Sequence, residues 1–273
     1  MLEQVRFAFI GGGNMAEALI KGLLNAGVPP GHVTATDVLA ARCTYMHTTY
    51  GVNATSENKQ AVYDSDVVLL AVKPQSMATV LDDIASAVSP HKLVISIAAG
   101  ITLQSLQQAL GEGRRVVRVM PNTPALVQAG AAGISPGAAA TPQDVALVEQ
   151  IFNAVGRAVV VSDDLMDVVT GLSGSGPAFI FALIEGLSDG GVLMGLSRQT
   201  ATLLAAQTVL GAAKMVLETG KHPGELKDMV TSPAGTTIAG MQALESGGLR
   251  GLMMETVRRA TERSAALGRG ADH

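Results

Sequence analysis

Residues 5–10 (VRFAFI) run without a break into Gly11-Gly12-Gly13-Asn14-Met15-Ala16, and a helical pattern begins where the glycines end. Ala16, Leu19, Ile20, Leu23 and Leu24 then recur at the spacing of one helix face, and Gly27 is placed to stop that helix. An apolar strand that turns within three glycines into an amphipathic helix belongs at the edge of a sheet that the helix covers, so the chain is committed to α/β layers. The glycines fit the pattern GxGxxA in its required strand–helix context. Gly11 allows the tight turn, Gly13 lets a ligand's pyrophosphate approach the backbone, and Ala16 keeps helix and strand close. The helix N-terminus adds unpaired N–H groups and the positive end of a dipole. A purely structural glycine turn is the alternative.

The alternation continues down the chain. Strands are expected at 33–37, 66–72, 93–98 and 116–120, and helices at 40–50, 76–87 and 103–110. These strands are mostly apolar, without a regular polar alternation, which predicts a parallel sheet covered on both faces. A helix at 142–152 and a last strand at 158–161 follow, while the Gly- and Ala-rich stretch 129–141 reads as the least ordered part. Beyond Asp163 only the helical period survives, at 177–193, 197–218, 223–231, 236–244 and 249–267. The expected architecture is an α/β domain over 1–162 and an all-α domain over 163–273, with no internal repeat and no linker of low complexity.

Composition removes several classes of function. A net charge of −4 without any run of like charge argues against nucleic acid or an anionic membrane as partner. With no Trp, three Tyr and five Phe there is no surface for stacking bases. The single cysteine, Cys43, excludes an internal disulfide and a multi-cysteine metal site; His32, His47, His91, His222 and His273 are scattered, so no metal is expected. The longest uncharged stretch, 119–143, contains Pro121, Pro124, Pro136 and Pro142 and makes a poor membrane span. Residues 5–10 are too short for a signal sequence, and the chain reads as soluble and cytoplasmic. Charged residues amount to only 15% against 48% hydrophobic, so part of the surface is expected to lie against another subunit.

The remaining motifs fall on the same sheet edge or at helix starts. Asp37 ends the second strand, where a carboxylate accepts from a ribose 2′-OH and disfavours a 2′-phosphate; a helix cap or turn role is equally open, and Arg42 is the available counter-cation. Ala71-Val72-Lys73-Pro74, Ser96-Ile97-Ala98-Ala99-Gly100 and Met120-Pro121-Asn122-Thr123-Pro124 follow three further strands, where open α/β sheets bind ligands. Leu172-Ser173-Gly174-Ser175-Gly176-Pro177-Ala178 and Thr231-Ser232-Pro233-Ala234-Gly235-Thr236-Thr237 each precede a helix, with Ser175 the expected cap of the first. Two hydroxyl-rich helix N-termini suit a substrate carboxylate. Neither a phosphate-binding GxxxxGK[ST] loop nor a hydrolase triad is present, and Lys214 and His222 are better read as solvated or interface residues than as bases. Hydride transfer needs positioning and one polarising donor, because the cofactor carries the chemistry. A C=N bond suits such a site best, since protonation makes its carbon electrophilic without a strong enzymatic acid.

FIGGGNMAEAL, AVKPQ, ISIAAGI, RVMPNTPA, GLSGSGPAF, GAAKMVLETGKHPGELKDMVTSPAGTTIAG and LESGGLR together closely resemble the pyrroline-5-carboxylate reductases, in matching order over essentially the whole chain. The resemblance implies a Rossmann-like parallel-sheet domain and a helical domain that interlocks with a second subunit, giving a homodimer and in many members a decamer. It implies reduction of (S)-1-pyrroline-5-carboxylate to L-proline, the last step of proline biosynthesis, with NADPH or NADH. It places cofactor contacts at Gly11, Gly13, Asn14 and Met15, the ribose edge at Thr36, the adenosine side at Asn58, and the nicotinamide side at Ala71, Val72, Lys73, Pro74, Ile97, Ala98 and Ala99. On the substrate side Thr237 matches a threonine whose hydroxyl approaches the ring nitrogen. Gly235, Thr236 and Thr237 would hold the carboxylate, Asp163 matches an acidic position, and Ser175, Gly176 and Pro177 would wall the pocket. Asp37 departs from members that prefer NADPH and, if it faces the ribose, favours NADH. Two rivals remain at this stage: an alcohol-oxidising hydroxyacid dehydrogenase, disfavoured because 177–193 contains no Lys, and a non-catalytic nucleotide sensor, disfavoured by the intact substrate-type loops.

Overall fold

The computed structural model describes residues 2–268, so His273 lies outside the described residues. In chain order the main elements are β1 (Phe7–Ile10), α1 (Asn14–Asn25), β2 (Val33–Thr36), α2 (Ala40–Tyr50), β3 (Asn53–Thr55), α3 (Asn58–Tyr63), β4 (Val67–Leu70) and α4 (Pro74–Ile84). Then come β5 (Leu93–Ser96), α5 (Leu103–Leu110), β6 (Arg115–Met120), β7 (Gly130–Pro136), α6 (Pro142–Asn153) and β8 (Gly156–Val160). The rest is helical: α7 (Met166–Val169), α8 (Gly176–Leu193), α9 (Arg198–Thr219), α10 (Pro223–Met229), α11 (Thr236–Ser246) and α12 (Leu249–Gly268). The chain resolves into two compact units. One runs to Ser175 and takes up the segment from Arg259 onward; the other is Gly176–Arg258.

The strands form one sheet in the order β3-β2-β1-β4-β5-β6-β7-β8. Side chains alternate between two cores, one on each face. Phe7, Phe9, Leu69 and Ile95 pack with Leu19, Ile20 and Leu23 of α1 and with Ile151 and Phe152 of α6. Ala8, Ile10, Leu70 and Val94 pack with Met77 and Leu81 of α4 and Leu106 of α5. Both faces are covered, which is why these strands carry no polar alternation. Truncating a core residue such as the fully buried Phe9 to Ala costs about 3–5 kcal/mol.

Three features depart from the sequence expectation. First, β7 occupies the stretch expected to be least ordered. Ile134 is its one β-branched residue, and at its glycines the neighbours leave no room: a Cβ on Gly133 would stand 2.7 Å from Cγ1 of Val169. Second, β7 runs antiparallel to β6, with Met120 opposite Gly133. Residues 121–129 are too few for the helical crossover that a parallel neighbour requires. Third, the short edge pair β3 and α3 was not expected; Asn-Ala-Thr is half-exposed and polar, so it carries no strand pattern.

The segment 163–175, which the sequence groups with the helices, belongs to the sheet-bearing unit. Met166 is fully buried, Val169 rests on β7, and Ser264 Oγ of α12 donates to Asp167 Oδ1 at 2.7 Å. α8 begins at Gly176, close to the expected start, but Ser175 is not its N-cap as expected. α7 continues through a π-helical turn at Thr170–Gly174, and Ser175 has a helical backbone with its N–H on Thr170 O at 2.9 Å. Ser175 therefore closes that turn as its C-cap.

Candidate active site

The register brings the functional loops to one edge. Ile10 lies opposite both Thr36 and Leu70, and Leu70 opposite Ser96, so Gly11, Asp37, Ala71 and Ile97 leave the sheet at one level. Their N–H groups extend the ladder: Gly11 N to Thr36 O at 3.0 Å, Ala71 N to Ile10 O at 2.8 Å, Ile97 N to Leu70 O at 3.2 Å. The strand order reverses between β1 and β4, and ligands of open α/β sheets sit in the crevice at such a switch point.

Two glycines shape the floor of this crevice differently. Gly11 has φ +96° and an added Cβ would lie 2.8 Å from Ala71 O, so only glycine passes there. Gly13 has an ordinary extended backbone, φ −66° and ψ 180°, and an added Cβ would meet nothing within 4 Å. The space above Gly13 is thus open to a ligand rather than filled by the protein. Gly13 is also the N-cap of α1 and supplies no side-chain cap, so the N–H groups of the first turn, at Asn14 and Met15, are available to phosphate. A dinucleotide fits this floor.

The other expected cofactor residues surround it. Thr36 Oγ1 donates to Asn58 Oδ1 at 2.6 Å, and Asn58 Nδ2 donates to Asp83 Oδ2 at 3.1 Å, which fixes both side chains at the β2 end. Asp37 accepts from Gly12 N at 3.0 Å and from Leu39 N at 2.9 Å, the turn role that the sequence left open beside the ribose role. Lys73 is the N-cap of α4 with Pro74 at its first position; its exposed ammonium makes no ion pair among the described residues. Ala71, Val72 and Ile97 are half-buried, Ala98 is buried and Ala99 exposed, so small side chains line this flank.

Two side chains that the sequence did not single out tie the site together. Arg118, only 8% exposed, pairs with Asp163 at 3.2 Å and holds that carboxylate to β6. Glu17 accepts from Tyr50 and Tyr45 hydroxyls at 2.6 and 2.8 Å and pairs with Arg42 at 2.5 Å. Burial pushes the Glu17 carboxyl up, but hydrogen bonds from Tyr50, Arg42 and Tyr45 and the charge of Arg42 outweigh it and hold it below its usual range. Burial, then the bond to Glu17, pushes the Tyr50 phenol well up. Both groups are paired across long sequence separations, so no local pattern reveals them. Asn122 is internal bracing: Nδ2 donates to Ser173 O at 3.0 Å and Oδ1 accepts from Ala131 N at 2.9 Å.

The second unit carries Gly176, Pro177, Gly235, Thr236 and Thr237. Gly176 and Pro177 open α8 as half-buried residues. Gly235 is the N-cap of α11 without a side-chain cap, and a Cβ there would meet Ser232 Oγ at 2.2 Å. The preceding Ala234 adopts φ +54°, a conformation alanine seldom takes outside strained turns. The half-buried Thr237 hydroxyl has no hydrogen-bond partner among the described residues. The helices of this unit are apolar yet uncovered: Phe181 is 64% exposed, Leu193 84% and Leu203 67%. By length and composition the segments Asp163–Leu193 and Arg198–Thr219 would each suffice to cross a membrane.

A dinucleotide crevice at a strand switch point, followed by helices with bare apolar faces, defines a nicotinamide-nucleotide-dependent oxidoreductase that completes itself by oligomerising. Residues 163–267 match the family described as pyrroline-5-carboxylate reductase dimerisation, and residues 6–100 match NADP oxidoreductase, coenzyme F420-dependent. A pyrroline-5-carboxylate reductase of Methanosarcina acetivorans is 53% identical over 98% of this chain and 100% of its own length. The structure of a pyrroline-5-carboxylate reductase from Coxiella burnetii superposes with TM-score 0.93 at 39% identity, over 96% of this chain and 98% of that one. That of the Plasmodium falciparum enzyme, with NADP bound, gives 0.86 at 33%, over 97% and 99%. The chain belongs to the pyrroline-5-carboxylate reductase family. The uncovered helices fall within the dimerisation match.

Proposed function

We propose that this chain reduces (S)-1-pyrroline-5-carboxylate to L-proline with NADPH or NADH, as the last step of proline biosynthesis. The observation that carries this reading is the pairing, on one chain, of the open floor at Gly13 with the uncapped α11 start at Gly235–Thr237. The first suits a dinucleotide and the second a small carboxylate. Gly11, Gly13, Asn14 and Met15 receive the pyrophosphate; Thr36, Asp37 and Asn58 face the adenosine side. Ala71, Val72, Lys73 and Pro74 with Ile97, Ala98 and Ala99 flank the nicotinamide, which when bound and reduced supplies a hydride.

On the substrate, backbone N–H groups of Gly235, Thr236 and Thr237 hold the carboxylate. The Thr237 hydroxyl orients the ring nitrogen. The hydride adds to the C=N carbon, the C=N electron pair passes to nitrogen, and the proton already on the iminium stays there as the amine forms. Asp163, Ser175, Gly176 and Pro177 wall the pocket. The active form is a homodimer through the helices within 163–267, the stretch that matches the dimerisation family. It acts on a small molecule in the cytoplasm and has no nucleic-acid or membrane partner.

Oxidation of NADPH and NADH at 340 nm with pyrroline-5-carboxylate tests the reading. Turnover with formation of proline is expected. A folded protein that binds nucleotide but turns over neither would refute it.

A further inference from the structure

The glycine turn is held from outside the crevice by a network with no contact to the substrate. Asp37 Oδ2 accepts from Gly12 N at 3.0 Å, and Arg42 Nε donates to Gly12 O. Arg42 is the cation beside the end of β2, where a 2′-phosphate on the adenosine ribose would need one. It is not free to serve. Its Nη2 pairs with Glu17 Oε2 at 2.5 Å, and its Cζ lies 4.8 Å over the Tyr45 ring. Glu17 is in turn pinned by Tyr45 and Tyr50, at 2.8 and 2.6 Å. Asp37 has no ion-pair partner among the described residues and is satisfied by backbone N–H groups alone. Around Gly12 the formal charges of Asp37, Arg42 and Glu17 therefore sum to −1, and the one cation is paired with the Glu17 carboxylate rather than with Asp37.

We propose that Glu17 is a specificity-determining residue: by occupying Arg42 it withholds the counter-cation from a 2′-phosphate and biases the crevice toward NADH. The inference rests on the crevice being the nucleotide site. Glu17 acts through Arg42 and touches neither cofactor nor substrate, so it is a positioning residue. Its signature is a change in cofactor preference, which mere loosening of the fold would not give, because NADPH and NADH share every contact except the 2′-phosphate.

The test compares kcat/KM for NADPH and NADH in the full-length wild type, Glu17→Gln and Tyr50→Phe. Removing the unit charge that pairs with the counter-cation of a nearly dianionic phosphate should raise the NADPH/NADH ratio roughly tenfold in Glu17→Gln. Tyr50→Phe removes a hydroxyl from Glu17 without changing charge and should leave the ratio as it was. An unchanged ratio in Glu17→Gln, or an equal rise in Tyr50→Phe, would overturn the proposal. A wild-type measurement needs no variant to fold: adenosine 2′,5′-bisphosphate should show no gain in affinity over 5′-AMP. A gain would mean that Arg42 already serves the 2′-phosphate, and would overturn the proposal too. Failure of the wild type to bind NADH, NADPH and both fragments would instead defeat the nucleotide reading of the crevice.

Discussion

Gly13→Ala separates the stability of the protein from its function more cleanly than any other single change. The new methyl group meets no protein atom within 4 Å, and φ −66° with ψ 180° suits any L-residue. Losing glycine reduces unfolded-chain entropy, worth about 0.4–1 kcal/mol in favour of the variant. Alanine is a poorer N-cap than glycine, which costs about the same amount in the other direction. The net change should lie within about 0.5 kcal/mol, or roughly 2 °C in Tm for a chain of this size. Nucleotide binding should behave differently. If the pyrophosphate runs over this backbone, the methyl group stands in its path and affinity should fall at least tenfold, about 1.4 kcal/mol. Thermal melts of the free protein and fluorescence titration with NADH measure the two effects separately. Gly11→Ala is the contrasting control: at φ +96°, with Ala71 O 2.8 Å away, it should destabilise the free protein by about 1–3 kcal/mol. A Gly13→Ala variant that binds NADH and NADPH like the wild type would refute the placement of the pyrophosphate. A large loss of stability would refute the reading of open space.

Further consequences can be checked in parallel. Thr237→Ala should lower kcat/KM by roughly 10–100-fold with either nucleotide, about 1.4–2.7 kcal/mol, and an unchanged value would remove Thr237 from the chemistry. Because the folded Glu17 carboxyl lies below its ordinary value of 4.5, its contribution to stability is complete above that pH and is lost as pH falls through the lower folded value. Glu17→Gln should therefore flatten the acid limb of the stability curve followed by urea melts from pH 6 downward, and a limb as steep as the wild type's would count against the network. Phe181→Glu places a charge on an α8 face that is 64% exposed in the single chain, and light scattering should show loss of the dimer. Retention of the wild-type mass would show that this face lies outside the contact.

The sequence was most legible where local chemistry and tertiary packing ask for the same residues. β1, the glycine turn and α1 were clear because a buried strand, a positive-φ position and an amphipathic helix each leave their own mark. β7 is hidden because close packing at Gly133 against Val169 and at Gly130 against Ala125 demands glycine, which reads as loop. Ser175 looked like a cap because Ser-Gly-Pro is a capping signature, yet the π-helical turn before it carries the helix through. The edge residues Thr36, Asn58, Ala71 and Ile97 were placed by strand ends and by family resemblance, and the register sets Thr36, Ala71 and Ile97 on a common edge. Arg118 and Glu17 carry no local signal because their partners lie 45 and 25 residues away, a distance over which spacing carries no information.

The bareness of the second unit also has a thermodynamic consequence. Between Gly176 and Arg258 the buried apolar side chains are only Ala201, Ala205 and Leu226. Such a core is small for its helices, and the match of 163–267 to a dimerisation family supplies the remaining source of order, a subunit contact. Mass action then governs this half of the molecule: its melting temperature rises with protein concentration, and dilution loosens it without any change in solvent. A substitution that weakens the subunit contact is tolerated in an abundant protein and damaging in a scarce one. The level at which the chain is made therefore becomes one of the variables of its stability.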